Sequence, residues 1–402
     1  MNERKATTGW VVYDLANTIF ALGVVGLYFP DWLTRQGLAD STLAATQSVA
    51  GAVVIFLAPW IGARSDRTGR RMPALVATTL VAVAATAGLT WGPHIVTFVL
   101  LGLALVAVNT GSVVYDALLP VVARPERQGR VSGLGVGIGY FGSFIGVGIG
   151  VVTLDVLDLG HGPTFVALAG GFMLFAIPTF LMVTEPDPPL RVPDPPPLRS
   201  VVTGLIGSWR LARAHPDVLR FLLSRFMYTD AINTLIGGFL TIFALEELGL
   251  DRRGSQNLLL VAIAAAVLGG LGGGRLVERL GSVRALRSAL VMWVAAILFG
   301  VFAAVTDRPE LAGGIGALGG LALGATWAAD RVVMIRVSPP SHLGEFYGLY
   351  ATVGRFATIV GPLVWALIVD GFGWGRNAAM IALASFIAVG WHLVGSVHTR
   401  QG

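Results

Sequence analysis

Cysteine is absent from the 402 residues, which excludes disulfides, thiolate metal sites, iron–sulfur clusters and a cysteine nucleophile. The six histidines are scattered without ligand spacing, so neither a metal nor another cofactor is expected. Charge is scarce too: 13% of residues are Asp, Glu, Lys or Arg, against about 25% in soluble domains. Lysine occurs once, as Lys5, and arginine supplies every other basic side chain, a bias that points to a GC-rich prokaryotic gene and hence to a bacterial plasma membrane. There is no H-E-x-x-H helix and no G-x-x-x-x-G-K-[ST] phosphate loop, so neither an enzyme nor a nucleotide-driven pump is expected.

What is present is apolar. Hydrophobic residues make up 54% of the chain, mean hydropathy is +0.74, and there are 53 glycines. A spanning helix needs about 20 mainly apolar residues. Twelve blocks qualify, at roughly 10–33, 41–63, 73–91, 95–122, 131–154, 163–183, 218–245, 255–276, 285–305, 311–335, 345–369 and 376–396. The expected fold is an all-α polytopic membrane protein. The first block carries Asp14 and Asn17 and lacks a small-residue cleavage site, so it is expected to stay in the mature chain.

Basic residues fall in the gaps between blocks and form no single stripe, so the net charge of +5 reads as topology and nucleic acid is not an expected partner. With the amino terminus inside, cytoplasmic segments hold 19 Lys and Arg and the opposite side 5, while Arg220, Arg225, Arg331 and Arg355 lie within or at the edge of helices. Both termini are therefore expected in the cytoplasm. The longest polar gap, 185–217, is rich in proline and cannot hold a helix interior. It divides the chain into an amino-terminal bundle, 1–184, and a carboxy-terminal bundle, 218–402, joined by a cytoplasmic linker.

The two halves repeat at an offset near 215. Asp14-Leu15-Ala16-Asn17-Thr18 in helix 1 recurs as Asp230-Ala231-Ile232-Asn233-Thr234 in helix 7. Gly62, Asp66, Arg67 and Gly69 after helix 2 match Gly274, Glu278, Arg279 and Gly281 after helix 8, and Asp116 in helix 4 matches Asp330 in helix 10. In helix 5, Gly129, Gly133, Leu134, Gly139, Phe141 and Gly146 match Gly344, Gly348, Leu349, Gly354, Phe356 and Gly361 in helix 11. Two six-helix bundles in parallel repeat are the organisation of the major facilitator superfamily, with substrate sites near the midplane between the halves. The loop from Gly62 to Arg71 resembles that superfamily's signature between helices 2 and 3.

A narrower resemblance lies in Trp10-Val11-Val12-Tyr13-Asp14-Leu15-Ala16-Asn17-Thr18, Tyr115-Asp116-Ala117-Leu118-Leu119-Pro120, Gly139-Tyr140-Phe141-Gly142, Tyr228-Thr229-Asp230-Ala231-Ile232-Asn233-Thr234 and Gly361-Pro362. Together these resemble the Atg22-like branch, whose fungal members are vacuolar amino-acid effluxers. The resemblance implies amino-acid efflux. The superfamily signature implies that Asp66 interacts with the amino-terminal end of helix 11, with Arg67, Arg70, Glu278 and Arg279 as gate residues beside it.

Ionisable groups inside a membrane are costly and mark function. Asp14, Asp116, Asp230 and Asp330 qualify. Asp14, Asn17 and Thr18 stand at i, i+3 and i+4 and so share one helix face, and Asp230, Asn233 and Thr234 repeat that face. A polar cavity lined by helices 1 and 7 is expected, with Tyr13, Tyr115, Tyr140, Tyr228 and Trp327 as walls. Arg331 and Arg355 are the basic groups expected in the core. Four acids against two arginines leave an excess of negative charge that a low-dielectric interior disfavours. The expected coupling ion is therefore H+, ahead of Na+ because no dedicated oxygen cage is visible. Arg355 or Arg331 would hold a substrate carboxylate and an opposing acid an ammonium. The expected function is alternating-access secondary transport of a small solute by a monomer in the lipid bilayer. A cation-coupled glycoside symporter and a lipid, lysophospholipid or drug transporter of the same fold are the alternatives.

Overall fold

The computed structural model describes residues 3–68, 70–185, 209–339 and 343–398. Most of the expected linker, 186–208, lies outside the described residues. Among the described residues, eleven helices are long and apolar enough to cross a membrane, and Met72–Ala87 is a shorter apolar helix at the place of the third expected span. Large apolar side chains such as Leu174, Leu268 and Val305 are exposed, as suits a chain whose solvent is lipid.

The first unit comprises residues 3–32 and 49–185. It begins with α1 (Glu3–Thr18), which runs through a π-helical stretch, Ile19–Tyr28, into α2 (Phe29–Arg35). Then follow α3 (Asp40–Thr68), α4 (Met72–Ala87), α5 (His94–Asp116), the short α6 (Leu119–Val122), α7 (Pro125–Gly150) and α8 (His161–Met182). The fourth expected span, 95–122, is thus divided. Pro120 lacks an N–H and its ring would meet the carbonyl of residue 116, so α5 stops at Asp116. At the start of α4, the backbone N–H groups of Arg71 and Met72 donate to the Glu185 carboxylate at 2.6 and 2.8 Å, which satisfies groups that a helix start leaves unpaired.

The helix 5 glycines have a packing role. Gly135, Gly139, Gly142 and Gly146 lie on one face of α7 against α1 and its continuation, where a Cβ at Gly142 would overlap the Leu15 backbone. Small residues are what let two membrane helices approach this closely.

The second unit comprises residues 33–48 and 209–398. Its helices are α9 (Pro216–Thr234), π-helical Leu235–Phe239, α10 (Leu240–Glu246), α11 (Arg252–Leu280), α12 (Ser282–Val305), α13 (Ala312–Val337), α14 (Leu343–Phe356), α15 (Val360–Ala366), π-helical Leu367–Gly371 and α16 (Arg376–Gly395). Gly269 and Gly273 of α11 interlock with Gly316, Gly320 and Gly324 of α13, where added Cβ atoms would run into the opposing backbone.

Residues 33–48 belong to this unit although the boundary expected from sequence places them in the first. The reason is polar. Arg376 grips Asp40 with Nε and Nη2 at 3.0 and 3.1 Å, and Trp365 Nε1 donates to the same carboxylate at 2.8 Å.

Candidate functional site

In the first unit, the helix 1 acid stands in an aromatic setting. Trp10 and Tyr115 stack with ring centroids 4.5 Å apart and are tied twice: Trp10 Nε1 donates to the Tyr115 carbonyl and Tyr115 Oη to the Trp10 carbonyl, each at 3.0 Å. Tyr13 stacks on Tyr115 as well, at 5.0 Å, and its hydroxyl meets Thr79 Oγ1 at 2.5 Å. Asp14, half-buried, lies against Gly139, where a Cβ would stand 2.9 Å from its Oδ2. Asp14 and the exposed Asp116, last residue of α5, are both close enough to act electrostatically on the Tyr115 phenol. Asn17 and Thr18 share the half-buried face, with Thr18 Oγ1 bonded to the Asp14 carbonyl at 2.6 Å. Tyr140 is half-buried on α7.

The second unit holds an ionic core. Asp330, fully buried, receives Arg225 Nη1 at 2.5 Å, Tyr228 Oη at 2.5 Å and Tyr350 Oη at 2.8 Å. The Arg225 guanidinium lies 3.7 Å from the centre of the Tyr350 ring and 6.0 Å from that of Trp327, and Nη1 also reaches Thr229 Oγ1 at 3.3 Å. A charge-assisted pair whose remaining lone pairs are filled by hydroxyls can persist in low dielectric. Arg225 was expected within or at the edge of a helix and was not among the basic groups expected in the core. Its signal was the spacing 225, 228 and 229, which puts guanidinium, phenol and hydroxyl on one face of α9. Arg331, expected in the core, is exposed, because neighbouring helical residues face different ways and its neighbour Asp330 takes the inward position. Arg355 is half-buried near the end of α14.

A second face of α9 meets an interruption in helix 11. The helix stops at Phe356 and restarts at Val360, because Pro362 has no N–H and its ring would meet the carbonyl of residue 358. Asn233 Nδ2 donates to the Ala357 carbonyl at 2.7 Å. The Asp230 carboxylate faces the backbone N–H groups of Ile359, Val360 and Gly361, outside hydrogen-bonding geometry. Thr234 Oγ1 bonds back to the Asp230 carbonyl at 2.7 Å. Gly361 has to be glycine here, since a Cβ would overlap Thr234 Oγ1 and stand 3.0 Å from Asp230 Oδ2.

Of the expected gate residues, Glu278 and Arg279 are exposed at the end of α11 and Arg70 is exposed before α4. The side chains of Asp66 and Arg67 lie outside what is described. Among the described residues, no group of three or more His, Asp or Glu could hold a metal ion.

The family model described as vacuole effluxer Atg22-like matches residues 32–402. An uncharacterised MFS-type transporter, YxiO, from Bacillus subtilis is 25% identical over 95% of this chain and 92% of its own length. Autophagy-related protein 22-1 of Penicillium rubens is 26% identical over 68% of this chain, which covers half of that protein's length. Among solved structures, the nucleoside transporter NupG superposes with a TM-score of 0.72 at 12% identity, over 99% of this chain and 99% of NupG. A bacterial homologue of the human lysosomal transporter Spinster gives 0.70 at 15% identity, over 98% and 96%. At these identities the two structures establish the fold alone.

Proposed function

The chain belongs to the Atg22-like family of the major facilitator superfamily, and from that membership we propose that it is a proton-coupled transporter of an amino-acid-like solute. Secondary transport of a small solute by alternating access is the work of this fold. The observation that carries the finer reading is the pair of Asp-x-x-Asn-Thr faces, one in each repeat, on helices 1 and 7. In the first unit, the half-buried Asp14 and the exposed Asp116 offer the negative charge that suits an ammonium group. In the second unit, Arg225 is committed to Asp330, so binding of a carboxylate passes to Arg355. A zwitterion carries both charges. The effluxer description of the matching family supports export as the direction, and the bacterial relative supports a plasma membrane as the location.

The test is transport of an amino-acid panel in proteoliposomes with and without an imposed pH gradient. Gradient-dependent movement of one class of amino acid, lost in Asp14→Asn, is the expected result. Movement that ignores the gradient removes proton coupling, and no movement of any amino acid by folded protein turns the search to glycosides, drugs and lysolipids.

A further inference from the structure

Asp230 is the buried acid that the geometry leaves over. Asp330 is neutralised by Arg225 and two phenols, and Asp40 by Arg376 and Trp365. Asp230 is 0% exposed, yet neither of its carboxylate oxygens has a hydrogen-bond partner. It faces the restart of helix 11 across the glycine that makes room for it. We propose that Asp230 is the proton-binding group of this transporter, and that its charge controls whether the interruption of helix 11 at residues 357–359 holds its present geometry.

The surroundings select a proton over a metal cation. The carboxylate faces the backbone N–H donors of residues 359–361, which attract the ionised form and repel a cation. Two of the three carbonyls at the interruption already accept side-chain hydrogen bonds, Ala357 from Asn233 and Ile359 from Ser48 Oγ at 2.9 Å. Among the described residues, no group of three or more acids or histidines stands there to hold a metal ion. An ionised Asp230 draws α15 towards α9. A protonated one loses that attraction and gains an O–H that needs an acceptor. Because the carboxylate is sealed, a proton reaches it only when the interruption opens, so titration and movement of α15 are one event.

The interruption is built to move as a piece. Helix 7 is itself irregular one turn beyond Thr234, where Gly238 has φ +112°, a conformation that favours glycine. Adjacent side chains of α3 bond to both irregular segments: Gln47 Nε2 donates to the Gly237 carbonyl at 2.6 Å and Ser48 to Ile359. Non-helical backbone at membrane depth requires partners of this kind. Gln47 and Ser48 are accordingly positioning residues that link α3 to the place where the proton acts.

Of the other titratable groups on the elements around Asp230, Arg331 and Arg336 of α13 are exposed. On α9 and α13, Arg225, Tyr228 and Asp330 form the ionic core, joined by Tyr350 of α14. Arg355 is half-buried on α14, and α15 carries no titratable side chain. On α16, Arg376 is tied to Asp40 and His392 is exposed in the last turn; Asp370, before α16, accepts from the Ser41 N–H.

This inference rests on the proton-coupled reading above, and a probe that does not depend on solute separates the two. The chain has no cysteine, so Leu363→Cys on α15 carries a single environment-sensitive fluorophore at a side chain that is 47% exposed. Full-length labelled protein, titrated from acid to alkaline pH without solute, is expected to show one step in emission. Asp230→Asn should abolish the step, and His392→Gln should leave it in place. A step that survives in Asp230→Asn, or no step in the parent protein, overturns the proposal. If Asp230→Asn does not fold, Asn233→Ala decides: it removes the bond to Ala357 without adding a titrating group, so a displaced midpoint supports the proposal and an unmoved one refutes it. Loss of the step in Asp230→Asn together with gradient-independent transport would leave the proton site standing and reject the coupling.

Discussion

At the scale of single residues, the second unit turns on Asp330. A buried ion pair adds little net stability over a well-packed apolar core, but removing one partner strands the other, at about 3–5 kcal/mol. Arg225→Ala is therefore expected to lower stability by that order, because it leaves the buried Asp330 with only the Tyr228 and Tyr350 hydroxyls as partners. Asp330→Asn strands the guanidinium but leaves it stacked on the Tyr350 ring, so a smaller loss is expected. Thermal unfolding of detergent-purified variants measures both, and equal losses would mean that the ring contributes nothing. Arg225→Lys should not rescue, since an ammonium lacks the planar group that both stacks and donates in the plane. The acid of this core was legible as an intramembrane carboxylate. The identity of its partner was not, because an arginine seven residues inside an apolar block reads equally as a snorkelling end charge until the facing helix is known.

At the scale of elements, hydropathy made the order of spans readable, since each crossing needs its own apolar block whatever it packs against, although Met72–Ala87 is shorter than the other eleven described. Where helices stop is a different matter. Two interruptions follow one rule, with α5 ending at Asp116 four residues before Pro120 and helix 11 failing around residue 358, four before Pro362. Proline in membrane helices is also tolerated without a break when neighbours satisfy the freed groups, so the residues marked the places without deciding the outcome. Glycine stripes pose the same difficulty, because only packing shows which positions touch a backbone. Gly324→Ala should cost about 1–3 kcal/mol, as its Cβ would drive into the Ala266 carbonyl. Gly319→Ala, on the same helix but meeting only the Trp293 ring at 3.8 Å, should gain about 0.5–1 kcal/mol by lowering backbone entropy in the unfolded chain. Opposite signs in the two thermal shifts are the expected outcome; a common sign would discard the interlock as the reason for these glycines.

At the scale of the whole molecule, the repeat predicts two equivalent halves, and the structure departs from that symmetry in one instructive way. Residues 33–48 precede most of the first unit in the chain but pack as part of the second. No composition signal marks this, because the segment is an ordinary helix start whose allegiance depends on Arg376, more than 330 positions away in sequence. The pair is unequal in its exposure: Asp40 is 1% exposed, whereas Arg376 is 22% exposed and has Glu246 and Glu247 at 3.7 and 3.9 Å in reserve. Removing the arginine leaves a buried carboxylate with the Trp365 N–H as its remaining side-chain donor, while removing the acid leaves a guanidinium near two other acids and water. Arg376→Ala should therefore be the more damaging change, at about 3–5 kcal/mol, with Asp40→Ala below it. Because Gln47 and Ser48 follow on the same helix, release of Asp40 should also loosen their bonds to Gly237 and Ile359. Amide hydrogen exchange around residues 359–366 should then rise in Arg376→Ala, and unchanged protection there would show that the acid–arginine pair anchors its own end of α3 and nothing further in.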